Sequence, residues 1–377
     1  MSWRRLAAVA RKELIQIWRD SRSLGIVLVM PVAMMLLFGY GVSLDMKHIP
    51  VCVFDREGSQ QSQDLLKRFQ ASEYFDVVRA VDNYPALVAA IDSGEARIGL
   101  VVPPDFSERL RGGQTASVQA IVDATDDNTA NLASGYSNAV VRGFSQEVQL
   151  DWLRQQGRPA PNPPISVDAR TWFNEDLESK AFIVPGVLAL VMSVIGAFLT
   201  SLTIAREWER GTMEQLISTP VTPLEIMLGK LTPYFVIGML NTGVCAAIAI
   251  WWFEVPFRGS LATLFVSSAL FMVVVLGLGF FISVIGKSQL AASQMALVAT
   301  FLPAFLLSGF LFSIEQMPAP IRAVTRLIPA RYFVSILKSV FLKGSSLALL
   351  EGELLALALF AAVLTLVATH SFKKKLG

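Results

Sequence analysis

Charged residues are scarce in this sequence. Asp, Glu, Lys and Arg make up only 16% of its 377 residues, whereas hydrophobic residues make up 53%, and the mean hydropathy is +0.53. Soluble globular proteins carry about 25% charged residues, so this composition excludes that class. We interpret the chain as an integral membrane protein.

Cysteine and histidine are scarce as well, with two of each. Cys52 opens a strand-like segment and Cys245 lies inside an apolar run, which excludes a disulfide framework. His48 and His370 both lie near the ends of apolar runs. A membrane-embedded hydrolase needs a nucleophile with its base, or a metal cluster, within the membrane. The sequence therefore disfavours that class of enzyme.

Long uncharged runs, in contrast, are plentiful. Six of them occur, at residues 24–44, 182–205, 231–253, 261–285, 289–312 and 354–370. About 20 helical residues cross the ~30 Å hydrocarbon core of a bilayer, so each run predicts a transmembrane helix. The first run exceeds the apolar core of a secretory signal and lacks an A-x-A-like cleavage site, so we expect it to be retained.

None of the six runs contains Asp, Glu, Lys or Arg. Ion-coupled carriers and pumps need ionisable groups near the membrane midplane, so this chain is not expected to power transport in that way. The sequence also lacks a phosphate-binding loop, because Phe281 stands where such a loop before Gly286 requires glycine. We expect a non-enzymatic chain without a cofactor or metal of its own, driven by a separate subunit.

The N-terminal segment, residues 1–23, combines apolar residues at helical spacing with cations on the other side. This pattern is typical of a helix that lies in the membrane interface with its cations toward anionic lipid; the simpler alternative is a solvated basic leader. The candidate residues of this interfacial helix are Trp3, Arg4, Arg5, Arg11, Lys12 and Trp18. The positive-inside rule places this end in the cytoplasm.

Six spans return the C-terminus to the cytoplasm, in agreement with the lysines at 373–375. The loop at 313–346 conflicts with this topology, because it carries five cations yet falls on the outer side. Amphipathic re-entrant helices in this loop resolve the conflict, since partly buried segments with snorkelling cations are weak topology signals.

Residues 45–178, between the first and second spans, have a different character. From 45 to 180 the sequence has 20 acidic and 13 basic residues, against 10 and 19 in the remainder. Strand-like segments near 51, 74, 97 and 118 alternate with helical patterns at 60–70 and 84–92. A long helical pattern at 128–155 and a Pro-rich linker at 157–164 follow. We predict an inserted extracytoplasmic α/β domain.

An acidic cluster follows the last of these strand-like segments, at Asp123, Asp126 and Asp127. No His or Cys accompanies it, and Asp is an ordinary N-cap residue of helices. We therefore interpret the cluster as structural, not as a metal or catalytic site.

A charge-rich insert, Arg206 to Lys230, separates the second and third apolar runs. In a helix Glu207 and Glu214 share one face, while Trp208, Thr212, Met213 and Leu216 fill much of the opposite arc. Gly211 predicts a bend, and Pro220 ends the element. A short cytoplasmic helix, acidic on its exposed side, predicts docking of a partner that passes on rigid-body movement. The alternative is an ordinary interfacial loop.

The string from Glu207 to Pro220, EWERGTMEQLISTP, resembles the signature of ABC-2 type permeases, which are the membrane subunits of ATP-binding-cassette exporters. Gly229-Lys230 follows shortly after, and Leu307–Phe310, Met317-Pro318 and Ile328–Tyr332 are similar to the family's later motifs. The order of parts also resembles the family. Residues 172–175, Trp-Phe-Asn-Glu, depart from it, since relatives with this outer domain often read aromatic-Asn-Pro there.

The resemblance implies a half-transporter in the inner (plasma) membrane. Two permease chains, identical or closely related, would pair on a dimer of cassette ATPase subunits that bind ATP and Mg. A periplasmic adaptor and an outer-membrane channel would be further partners, membrane lipid would surround the chain, and no nucleic acid would be involved. The cargo would be an amphipathic compound, such as a drug or a lipid, moved out of the cytoplasm or inner leaflet.

The resemblance also implies roles for particular residues. The coupling helix at 206–220 would contact the ATPases through Glu207, Trp208, Glu209, Gly211, Thr212, Glu214, Leu216 and Pro220. The outer re-entrant motif would comprise Ser308, Gly309, Pro318, Pro329 and Tyr332.

Polar residues within the runs are candidates for the lining of a cargo path, and they equally suit contacts between helices. They are Ser193, Thr200, Asn241, Thr242, Ser283 and Gln294. A competing function class is a membrane-anchored extracytoplasmic sensor or binding protein, although five spans after the inserted domain exceed what an anchor needs.

Overall fold

The computed structural model describes residues 2–42, 47–155, 172–173, 178–286 and 288–371. The end of the first predicted span at 43–44, the linker at 157–164, residues 174–175 and the lysines at 373–375 lie outside the described residues. The chain divides into two compact units. We call Met1–Ser43 with Arg170–Gly377 the helical unit, and Leu44–Ala169 the α/β unit.

The chain begins with two helices of the helical unit, α1 (Trp3–Arg19) and α2 (Ser21–Gly41). Leu6, Glu13 and Ile17 form the buried face of α1. Trp3 and Trp18 remain 77% and 76% exposed, and their place in a membrane interface stays a prediction. Val27–Gly41 forms an apolar segment of α2.

The α/β unit contains a four-stranded sheet in the order β2-β1-β3-β4. The strands are β1 (Ile49–Asp55), β2 (Phe75–Ala80), β3 (Ile98–Val102) and β4 (Gln119–Val122). Strand β1 pairs in parallel with β2 and β3, and β4 runs antiparallel to β3. The helices are α3 (Gln60–Ala71), α4 (Tyr84–Asp92), α5 (Phe106–Arg111) and α6 (Asp127–Gln155).

Helices cover both faces of this sheet because successive side chains of a strand point to opposite faces. Val51 and Val53 pack with residues of α3, α5 and α6, whereas Cys52 packs with Leu87 of α4. The strands and the three helices predicted from the sequence are confirmed. The short helix α5 was not predicted.

In its described residues, the remainder of the helical unit comprises eight helices and short turns. They are α7 (Ser179–Glu209), α8 (Met213–Ser218), α9 (Pro223–Ala247), α10 (Leu261–Gly286), α11 (Gln289–Leu307), α12 (Ala319–Thr325), α13 (Pro329–Lys338) and α14 (Glu351–Ser371). A π-helical turn, Ile248–Trp252, extends α9.

Five helices in the described part of the chain are long and apolar enough to cross a membrane: α7, α9 with its extension, α10, α11, and α14 with the turn before it. Five of the six predicted spans therefore coincide with such helices, and the count of six stays a prediction. The predicted run 289–312 is too long, because α11 ends at Leu307 and Gly309 follows in a left-handed conformation, φ +80°.

Helix α7 forms the centre of the helical unit, since its side chains are buried along most of its length. Helix α10 packs closely against it at Gly279, where a Cβ atom would lie 2.6 Å from the carbonyl oxygen of Ala197. Only glycine permits this approach. The close packing fixes the carboxyl end of α7, where the charge-rich insert begins.

Candidate functional site

The charge-rich insert is not one helix. Helix α7 continues through Glu209, and the chain turns at Gly211, which has a φ of +67°. Such a φ favours glycine, and the turn reorients α8 relative to α7. Thr222 then caps α9 through a capping box with Glu225, with Pro223 in the first turn. The predicted bend at Gly211 is confirmed.

A buried cluster of charges lies behind this turn. The ammonium group of Lys230 in α9 lies 3.0 Å from a carboxylate oxygen of Glu13 in α1 and 3.0 Å from one of Glu207 in α7. It also donates to the carbonyl oxygen of Thr203, at 3.4 Å. The side chains of Lys230 and Glu13 are each 1% exposed. We call Glu13, Glu207 and Lys230 the ionic cluster.

Neighbouring groups complete the ionic cluster. The Lys12 ammonium contacts Glu207 at 2.7 Å, and the hydroxyls of Tyr234 and Thr212 donate to Glu13 and Glu207. Two carboxylates thus face two ammonium groups, and the charges balance. Buried ions remain charged only when paired and hydrogen-bonded in this way.

Close packing holds α1 against α9 beside the cluster. At Gly229 a Cβ atom would lie 2.8 Å from the Cβ of Val9 and 3.2 Å from the carbonyl oxygen of Leu6, so glycine is required there. Arg5 donates to the carbonyl oxygen of Pro220 at 2.6 Å. Close packing and hydrogen bonds therefore hold the insert, α1 and α9 in contact.

A second set of polar contacts joins the end of α7 to α11. Arg206, 6% exposed, donates to the side-chain oxygen of Gln289 at 3.3 Å and contacts Asp20 at 3.4 Å. Glu209 accepts from the backbone amide of Gln289 at 2.8 Å. Residues of the insert thus contact α1 and α11 directly, and the insert is continuous with α7 and α9.

The exposed surface of the insert differs from the predicted one. Glu207 was expected on the exposed acidic face, but it is only 4% exposed. Trp208 was expected on the opposite, apolar arc, but it is 37% exposed, and Glu214 is exposed as well. These two assignments were wrong because a single helix was assumed across the turn at Gly211.

Of the remaining residues of the insert, some are buried and some are exposed. Met213, 2% exposed, and the half-buried Leu216 pack against α9 and α10 residues. Glu209, Gly211, Glu214 and Pro220 are exposed, and Thr212 is half-buried. The insert therefore presents Trp208, Glu209, Glu214 and Pro220 as an exposed surface, which we call the coupling surface.

The interfacial candidates of α1 all have exposed side chains: Trp3, Arg4, Arg5, Arg11, Lys12 and Trp18. Arg5 and Lys12 additionally contact the insert. These two cations therefore have a structural partner that the amphipathic pattern did not indicate.

The predicted outer motif forms a connected set of turns. The hydroxyl of Ser308 accepts from the amide of Phe310 at 3.2 Å, and Lys338 donates to the carbonyl oxygen of Gly309 at 2.6 Å. Pro318 precedes α12, and Pro329 is the first residue of α13. Tyr332 donates to the carbonyl oxygen of Arg326 at 3.0 Å. The short helices expected at 313–346 are present.

The candidate path residues are mostly buried between helices. The hydroxyls of Ser193, Thr200 and Thr242 donate to carbonyl oxygens one turn back in their own helices. Ser283 accepts from two backbone amides of α7. Asn241 is buried with its amide nitrogen unpartnered, and Gln294 is exposed. Most of these groups therefore serve helix packing.

Sequence reasoning missed Glu13, the one acidic residue on the buried face of α1. The available signal was its spacing, since Glu13 falls on the same helical face as Leu6 and Ile17. A carboxylate on a packing face needs a cation opposite, and Lys230 supplies it.

Comparison with known proteins agrees with this architecture. Residues 22–370 match the family described as ABC-2 family transporter protein. The chain is 44% identical over 346 residues to the probable multidrug ABC transporter permease YbhS of Escherichia coli K12, covering 92% of this chain and 90% of that protein.

Two further relatives from the same organism are similar over nearly their full lengths. The probable multidrug ABC transporter permease YbhR is 30% identical over 98% of this chain and 99% of its own. The inner membrane transport permease YhhJ is 24% identical over 87% of this chain and 86% of its own. The chain belongs to the ABC-2 family of transporter proteins.

Proposed function

We propose that this chain is the membrane permease subunit of an ATP-driven exporter and that the coupling surface receives movement from a separate ATPase subunit. One observation carries the proposal: the buried ionic cluster lies directly behind the coupling surface and joins α1, α7 and α9. A push on Trp208 or Glu214 is thereby passed to three helices at once, because buried ion pairs and close packing transmit displacement as rigid contacts.

The proposed assembly follows from the family. Two permease copies, identical or closely related, pair in the inner membrane on an ATPase dimer that binds ATP and Mg, and a periplasmic adaptor and outer-membrane channel extend the path. Both termini face the cytoplasm, six helices span the membrane, and the α/β unit lies outside. The excess of basic residues at the N-terminus supports this orientation.

We further propose an amphipathic cargo, such as a drug or lipid. The multidrug designation of YbhS and YbhR supports this class. A cavity of about 190 Å³, smaller than a typical small-molecule site, lies between α7, α10, α11, α13 and α14 and has room for part of such a cargo. Its lining is mostly apolar, with the polar side chains of Ser193 and Thr300, and such a lining suits apolar burial with a few hydrogen bonds.

The test of the coupling role is ATPase turnover in a complex reconstituted with the partner ATPase. We expect Glu214→Lys and Trp208→Ala to lower cargo-stimulated turnover several-fold and to weaken co-purification. The matched control is Glu351→Lys, an exposed carboxylate at the start of α14, which should leave both unchanged. Normal turnover and normal assembly of both insert variants would refute the proposal.

A further inference from the structure

An apolar concavity of the described α/β unit lies beside α6. A cavity of about 350 Å³ opens between α3, α5, the loop after α5, and α6. Its apolar wall includes Leu65, Phe106, Leu110, Phe144, Val148 and Trp152. Small-molecule sites have volumes of about 300–1,000 Å³ and predominantly apolar walls, so the cavity has the size and lining of such a site.

The cavity opens at the surface of the α/β unit, and residues of the hydrophobic core form its base. Leu65 and Phe106 at its base are 1% and 3% exposed, and Phe144 packs partly buried against the same core. Gly113, with a φ of +68°, brings the loop to the ring of Trp152, which would contact a Cβ atom there at 3.4 Å. Three aromatic side chains thus face an opening that no described side chain fills.

A second, polar concavity of about 490 Å³ adjoins the first and shares Leu110, Phe144, Val148 and Trp152 with it. Its charged lining comprises Asp64, Glu147 and Asp151 with Lys67, Arg68 and Arg111. Asp64 pairs with Lys67, Glu147 with Arg68, and Asp151 with the neighbouring Arg154. The three carboxylates are therefore neutralised by cations.

Arg111 is the cation that remains. Its guanidinium donates to the carbonyl oxygen of Ser107 at 3.2 Å and to the Ser107 hydroxyl at 3.3 Å. Among the described residues no carboxylate lies within ion-pair distance of it. The lining of the polar concavity has equal numbers of acidic and basic side chains. The guanidinium of Arg111 is the member of this lining that forms no ion pair with a described carboxylate, and it lies next to an apolar cavity, an arrangement complementary to an anion with an apolar body.

We propose that these two concavities form a binding site for an amphipathic anion, whose hydrocarbon or ring body fills the apolar cavity and whose acid group binds Arg111. The site lies wholly within the α/β unit, and the inference goes beyond the proposed permease function without depending on it. A neutral amphiphile makes the same apolar contacts without the contact to Arg111, so the charge of the ligand separates the two parts of the proposal.

The test uses the full chain in lipid nanodiscs, because detergents are amphiphiles and compete. The probes are a photoreactive sixteen-carbon fatty acid and the corresponding photoreactive alcohol, and the labelled peptides are quantified by mass spectrometry. We expect the acid to label peptides covering 110–118 and 141–152, and unlabelled palmitate to suppress this labelling at saturation. Labelling of α7 to α14 from the bilayer should not saturate.

Three variants separate the contributions. Ala116→Phe fills the apolar cavity and should lower labelling by either probe at least about ten-fold, since the loss of apolar burial affects both. Arg111→Gln should lower labelling by the acid about 1.5- to five-fold, the range of an exposed ion pair, and leave the alcohol unchanged. The matched control, Arg142→Gln on an exposed part of α6, should change neither.

Thermal unfolding of each variant, followed in the same nanodiscs, confirms that it folds. Unsaturable labelling of the 110–152 region, or equal labelling in Ala116→Phe, overturns the proposal. If Arg111→Gln lowers labelling by the acid and by the alcohol equally, the proposed contact between the acid group and Arg111 is overturned. A further variant replaces residues 157–164 by a Gly-Ser stretch. If this variant is labelled and the wild type is not, residues 157–164 occupy the cavity themselves, which also overturns the proposal.

Discussion

Replacing Lys230 by methionine tests the ionic cluster most strongly, because it keeps a long unbranched side chain and removes only the ammonium group. In the variant Glu13 keeps one hydrogen-bond donor among the described residues, the Tyr234 hydroxyl at 3.1 Å. Glu207 keeps two, Lys12 at 2.7 Å and Thr212. Glu13 is 1% exposed and therefore becomes a buried, unpaired carboxylate. The structure thus assigns most of the cost to Glu13.

The cost follows from the burial of the pair. Removing one partner of a buried ion pair destabilises by about 3–5 kcal/mol, and each ~1.36 kcal/mol is a factor of ten in an equilibrium constant. The detached state of α1 should therefore be populated at least about 100-fold more in Lys230→Met. Hydrogen–deuterium exchange of residues 3–19 in nanodiscs measures this, because detachment exposes the amides of α1.

Two further variants sharpen this test. Lys12→Met removes an ammonium group whose side chain is 53% exposed, so a change below about 1 kcal/mol is expected. Glu13→Gln combined with Lys230→Met removes the unpaired charge and should restore most of the protection. The reasoning fails if exchange of α1 in Lys230→Met equals that of the wild type or of Lys12→Met.

Two other predictions concern packing and acid stability. Gly229→Val should loosen α1 by about 1–3 kcal/mol through overpacking, seen as faster exchange of residues 3–19; wild-type exchange would contradict the close contact. The Thr125 hydroxyl and amide, together with Arg97, lower the pKa of Asp123 from 3.8 to about 2. Its stabilising contribution is therefore present above pH ~4 and lost as the pH falls toward 2. Asp123→Asn should speed pepsin cleavage of β3 and β4 relative to the wild type at pH 4 but not at pH 2; a ratio independent of pH would contradict this.

The α/β unit was predictable from sequence because its signals are local. Each of the confirmed strands is a short apolar run, and Asn83 caps α4 and Ser59 caps α3 through their own side chains. Helix α5 was missed because it has only six residues, and part of its stability comes from Glu57, which is about 50 residues away and accepts from Ser107.

The coupling surface was predictable only in part. Gly211 and Pro220 correctly indicated a bend and an end, since these residues restrict the backbone by themselves. The assignment of Glu207 to the exposed face and of Trp208 to the apolar face was wrong. Both were assigned on the period of one continuous helix, and the turn at Gly211 breaks that period. A residue beyond such a turn keeps no fixed angular relation to the residues before it.

The ionic cluster could not be predicted from local sequence patterns. Glu13 and Lys230 are separated by 217 positions, and only the packing of α1 on α9 brings them together. The apolar runs themselves contain no charged residue. A search for charges within the runs therefore did not find this pair, because Lys230 lies one residue before the run at 231. A charge at the edge of a run is the place where such pairing should be sought.

The central claim is that this chain moves its cargo only when a separate ATPase acts on the coupling surface. The most direct measurement is accumulation of an amphipathic dye in proteoliposomes that contain the purified chain, with and without the co-purified ATPase, in the presence of ATP. We predict uphill accumulation with the ATPase, none without it, and loss of accumulation in Glu214→Lys. Uphill accumulation by the chain alone would contradict the account.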